Sequence, residues 1–108
     1  MNFDINETLA QMIDAVKTTL GDNWEFAKQT VNDFFQSRKA RLDLLTSLRL
    51  DGEISENFFE KRMADEKDIL ESEMHAVAII SKVAAQNAAN AAIDILTNAI
   101  KGALNLPL

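Results

Sequence analysis

Between Glu56 and Lys101 the chain contains neither glycine nor proline, the two residue types that most readily end a helix. Such a run, about 46 residues long, far exceeds any ordinary β-strand. Along it Phe59, Met63, Glu66, Leu70, Met74, Val77, Ser81, Ala84, Ala88, Ala91 and Ile95 recur at steps of three and four, which places them on one face of a helix. The pattern predicts a single helix over residues 56–101, roughly 69 Å long at 1.5 Å per residue. Gly102 and Pro107 are its expected stop.

The segment before it is divided by two glycines. Asp4 followed three residues later by Glu7 has the spacing of a capping box, in which a side chain at each end satisfies a free first-turn amide. The helix it opens, about residues 5–20, carries the apolar stripe Ile5, Leu9, Met12, Ile13, Val16 and Leu20, and Gly21 supplies the residue type that tolerates a left-handed helix end. Asp22 and Glu25 repeat the capping spacing, so a second helix is expected over about residues 23–50. Its face is Trp24, Ala27, Val31, Phe34, Arg38, Leu42, Leu45 and Leu48, with Arg38 the one polar member. Asp51-Gly52 ends it. Ser55 then caps the third helix, and Ile54 and Phe59 are placed to form a hydrophobic staple across that cap. The fold class is therefore all-α, a single domain over residues 1–108: a long antiparallel helical hairpin with a shorter N-terminal helix, assembling into a helical bundle. The alternative reverses the chain at Gly21 and gives an up-down-up three-helix bundle.

A fold-back about Gly52 pairs residues whose numbers sum to about 104. Leu45 then meets Phe59, Leu42 meets Met63, Phe34 meets Leu70, Val31 meets Met74 and Ala27 meets Val77. Arg38 and Glu66 coincide and should form an ion pair across the seam. If the first helix keeps its direction at Gly21, the same sum sets Leu20, Val16, Ile13, Leu9 and Ile5 against Ala84, Ala88, Ala91, Ile95 and Ala99, large residues against mostly small ones. Beside this seam lie Ala76, Ile79, Ile80, Val83, Ala92, Leu96 and Ile100, an apolar width that one neighbouring helix does not cover. A homodimer or higher oligomer is the expected remedy, in the form of a four-helix bundle made from two hairpins.

Little in the chain points to catalysis. A formal charge of −6 repels phosphate backbones, which argues against nucleic acid, and the absence of cysteine removes thiolate zinc sites, disulfides and a cysteine nucleophile. His75 is the only histidine. Glu71 lies one turn before it and Asp68 near the same face, a candidate metal set, but the di-iron pattern Glu-x-x-His finds Ser72 where the carboxylate belongs. Glu71 and Glu73, two residues apart, point away from each other on a helix and cannot act as an acid and base pair. Read as part of a calcium loop, Asp51-Gly52-Glu53-Ile54-Ser55 puts Ser47, Arg49 and Phe58 at ligand positions, with Phe58 replacing the bidentate glutamate. Glycine-rich phosphate loops and Gly-x-Ser-x-Gly turns are absent. No catalytic, metal or cofactor-binding residue is assigned, and no cofactor is expected.

Leu42, Leu45, Leu48, Gly52, Ile54, Ser55 and Phe59 resemble the short helical hairpin often found at bacterial C-termini, called SHOCT, over about a quarter of the chain. The resemblance implies an oligomerisation or interaction hairpin without catalysis. The apolar tract Ala76 to Leu96 is broken by Ser81, Lys82, Gln86, Asn87, Asn90 and Asp94, so it is not expected to span a membrane. Its polar face has few cations, which makes a peripheral membrane binder the weaker alternative. The opening MNFDINET lacks the basic and apolar regions of a secretion signal, and the expected compartment is the cytoplasm. Together these features predict a non-enzymatic, self-associating helical interaction or scaffold protein. It would pair with its own copies and offer an acidic surface to another protein. The alternatives are a carboxylate and histidine metal bundle around Glu71 and His75, or the membrane-surface binder.

Overall fold

The computed structural model describes residues 3–77 and 79–105, and these form α1 (Ile5–Leu20), α2 (Trp24–Leu50), α3 (Glu56–His75) and α4 (Lys82–Asn105), with no strand among them. Asp4 caps α1: its carboxylate accepts from the amides of Asn6 at 2.9 Å and Glu7 at 3.4 Å. At Gly21, where φ is 57°, the chain turns back through a short 3-10 segment, Gly21–Asn23, into α2, so that α1 packs against α2, as in the alternative that reverses the chain there. The capping box expected at Asp22 and Glu25 does not form. Asn23 already has helical dihedrals, and the 3-10 turn satisfies the Trp24 amide through the Gly21 carbonyl, which leaves a side-chain cap nothing to do there.

The end of α2 is as the sequence predicts. Glu53 donates to the Leu48 carbonyl at 2.9 Å and Gly52 to that of Arg49 at 3.1 Å. This is the crossed pair of a Schellman motif, with Gly52 at φ 77° in the left-handed position. Ser55 accepts from the Phe58 amide at 3.1 Å and opens α3, with Phe59 buried and Ile54 packed against the core.

The third helix is not continuous. The helix expected over residues 56–101 stops at His75, and the chain turns back before restarting as α4, which runs through Gly102 to Asn105 and packs on α3. Pro107 lies outside the described residues. Ser81, read above as a seam position, is exposed and caps α4 instead, accepting from the Ala84 amide at 3.1 Å. Ile80 before it and Ala85 after it, both buried, occupy the positions of a hydrophobic staple. The β-branched residues Val77, Ile79 and Ile80 just upstream are weaker helix formers than the flanking sequence.

With turns at Gly21, at Gly52 and between α3 and α4, the four helices run up, down, up and down. The longest dimension is 46 Å, shorter than the roughly 69 Å that an unbroken 46-residue helix would need. The most extensive contact joins α1 to α4, and α1 with α2, α2 with α3 and α3 with α4 are the other adjacent pairs. On α4, Ala85, Ala88, Ala89 and Ala92 are buried, and their small side chains let α1 approach closely with Leu9, Met12, Val16 and Leu20. The match of large residues on the first helix with small ones near the C-terminus is thus kept, but through a fold-back of both ends.

This closure changes the case for association. Of the residues expected to need cover from another chain, Ile80, Ala92, Leu96 and Ile100 are buried within this one, and Ala76, Ile79 and Val83 stay exposed. A second consequence is that α2 buries more than one seam: Phe35 and Thr46 face inward as well, and Phe35 meets Phe34 edge to face with ring centroids 5.1 Å apart. Thr46 is 1% exposed and its hydroxyl has no hydrogen-bond partner. Thr46→Val removes that cost at little change of shape, so we expect a gain of about 1 kcal/mol and a midpoint about 4 °C higher in thermal denaturation.

Candidate functional site

The polar residues that the fold brings together most closely lie on the α2–α3 seam. Glu66 projects from the buried face of α3 and is 1% exposed. Arg38 donates to it twice, Nε to Oε2 at 2.7 Å and Nη2 to Oε1 at 3.0 Å, and Arg41 donates Nε to Oε1 at 2.7 Å. The ion pair expected between Arg38 and Glu66 is therefore present within one chain, and it fixes the fold-back register about Gly52. Arg41 was not anticipated as a partner, although its position one turn after Arg38 places it on the same side of α2.

These charges differ in how much solvent they keep. The Arg38 side chain is 29% exposed and that of Arg41 52%, whereas the carboxylate they share is sealed. Hydrogen bonds to Glu66 hold the Arg38 guanidinium above its ordinary pKa, outweighing the lowering by burial, and the negative charges of Glu66 and Glu73 act in the same direction. Arg38 accordingly stays charged at any pH the fold survives. Its Cζ also sits 5.9 Å from the centroid of the Phe34 ring. The cluster is saturated by its own members and presents a sealed carboxylate to no ligand, which suits a structural role. Deleting the buried charge leaves two guanidinium groups unpaired, so Glu66→Ala should cost about 3 kcal/mol, while Arg41→Ala, which removes a half-exposed partner, should cost less than about 1 kcal/mol in urea denaturation.

Just outside this seam α3 carries a second row: Phe58, Arg62, Asp65 and Ile69. Phe58 and Ile69 are among the large apolar side chains left in solvent, and so is Leu44 of α2, one turn beyond Arg41. Arg62 lies over the Phe58 ring, its Cζ 5.3 Å from the centroid, and its Nη2 reaches Asp65 at 3.2 Å. Phe26, Ile79, Val83 and Leu104 are the other large apolar side chains exposed among the described residues.

The candidate metal set does not converge. His75 ends α3, and its Nδ1 lies 3.2 Å from the Ile80 carbonyl; since a carbonyl only accepts, that nitrogen carries the proton and is committed to the turn. Asp68 is exposed and Glu71 half-buried, and among the described residues no three histidine or carboxylate side chains come together as a metal set. At the opposite end of the bundle a shallow cleft lies between Phe59, Ile100 and Leu104, rimmed by Arg49, Glu56, Glu60 and Lys101. None of the described helices is long and apolar enough to cross a membrane.

No protein-family model, curated protein or solved structure matches the chain. The likeness of the α2–α3 turn to the short bacterial hairpin therefore remains a local one.

Proposed function

We propose that this protein is a non-enzymatic helical interaction protein that works by associating with copies of itself. The observation that carries the reading is the row on α3 just outside the α2–α3 seam, where Phe58 and Ile69 stay exposed, with Leu44 of α2 exposed as well. Large apolar side chains left exposed along one face of a helix are characteristic of a contact surface. Catalysis draws no support from the residues described. The tightest charge cluster is satisfied internally by three short hydrogen bonds, and the only histidine is engaged in a turn.

The membrane-surface alternative loses its main support, because the apolar face of α4 that would lie on lipid is packed against α1 and α3. A metal bundle around Glu71 and His75 is not favoured either, since no group of three histidine or carboxylate side chains comes together there among the described residues. The excess of acidic residues, −6 overall, keeps the rest of the surface hydrophilic and restricts association to the apolar region.

Sedimentation velocity over a micromolar concentration series tests the proposal. We expect a concentration-dependent rise toward twice the 12.0 kDa chain mass. A species that stays at the mass of one chain throughout the series would remove self-association and the role drawn from it.

A further inference from the structure

The exposed row on α3 has an internal symmetry. Phe58, Arg62, Asp65 and Ile69 follow one another at steps of four, three and four, and at 100° per residue they fall within about 60° of one another on the helix. Read from either end the row is apolar, charged, charged, apolar, and the two charges are of opposite sign. Phe58 with Ile69 and Arg62 with Asp65 give the same sum of residue numbers. An antiparallel α3 from a second chain, related by a two-fold axis midway between Arg62 and Asp65, would therefore pair Phe58 with Ile69 and Arg62 with Asp65, each twice.

We propose that this row is the self-association surface, and that its occupant is the same row of a second copy in antiparallel orientation. The inference rests on the self-association proposed above and names the surface that performs it. A two-fold interface requires a patch complementary to itself, in which residue i meets j and j meets i. The row satisfies that condition in both hydrophobicity and charge. A parallel arrangement would set arginine on arginine and aspartate on aspartate, so the pattern also selects against the wrong orientation.

The geometry prepares the contact. Phe58 is 46% and Ile69 37% exposed, about 16 Å apart along the helix, with the charged pair between them. Arg62 lies over Phe58, and Asp65 is already within 3.2 Å of it, so the charges need only exchange partners between chains. The remaining acidic surface lies outside the contact.

Charge reversal with sedimentation equilibrium tests this. Arg62→Asp and Asp65→Arg should each weaken dimerisation about 100-fold, because each sets like charges opposite one another twice per dimer. The double variant Arg62→Asp with Asp65→Arg restores opposite pairs and should return to within about threefold of the wild type. Ile69→Lys is an independent check that leaves the ion pair in place and should also abolish association. Circular dichroism of each variant confirms that the exposed substitutions leave the helices folded. If the wild type associates and the single variants associate equally well, this surface is wrong while self-association stands. If the wild type remains a monomer, both are wrong. Losses in the single variants that add in the double variant would refute the antiparallel pairing.

Discussion

The reversal between α3 and α4 is the constraint on which the bundle depends. Without it α4 would extend past α2 as a continuation of α3, and the buried faces of α1, α3 and α4 would have no common interior. The turn is held by local bonds: Ser81 caps the new helix, Ile80 donates to the Val77 carbonyl at 3.0 Å, and His75 closes on the Ile80 carbonyl. What makes the turn worthwhile is longer in range. Folding α4 back buries Ile80, Leu96 and Ile100, together with the alanine face that receives α1. Each fully buried aliphatic side chain contributes on the order of 2 kcal/mol, which exceeds the propensity lost at a few turn residues.

The second determinant is the shared carboxylate of Glu66. A hydrophobic seam between α2 and α3 tolerates a slip of one heptad, because most of its members are apolar residues of similar size. A sealed glutamate does not, because any other register leaves it without Arg38 and Arg41. Its contribution lies chiefly in choosing one alignment, since desolvation offsets much of the attraction in a buried ion pair. Burial of apolar area supplies the stability, and this one polar cluster supplies the alignment of the α2–α3 hairpin.

Much of this was legible in the residues. Helix faces followed from three- and four-residue spacing, the α2–α3 turn from Asp51-Gly52 and Ser55, and the Arg38–Glu66 contact from the coincidence of two polar positions. The break after His75 was not, because no glycine or proline marks it. Ser81 has the same i+3 and i+4 relation to Val77 and Ala84 whether it continues a seam or caps a helix. A cluster of Val77, Ile79 and Ile80 ahead of a serine was the available signal, and it is weak against a long periodic pattern. The breadth of apolar surface on the third helix was read as a need for a second chain, yet Ile80, Ala92, Leu96 and Ile100 are buried within this one. The chain covers most of that surface itself by folding back, which leaves Ile79 and Val83 exposed near the start of α4 and Leu44, Phe58 and Ile69 exposed on α2 and α3.

Because the chain has no native cysteine, two introduced ones can carry spin labels without background. Glu60 on α3 and Lys101 on α4 are exposed and rim the same cleft. Electron–electron resonance distances between labels at these two positions test the fold-back directly, with excess unlabelled protein added to dilute any signal between chains. The bundle described here predicts a separation below about 25 Å, whereas a continuous third helix would hold the labels roughly 60 Å apart and would contradict it.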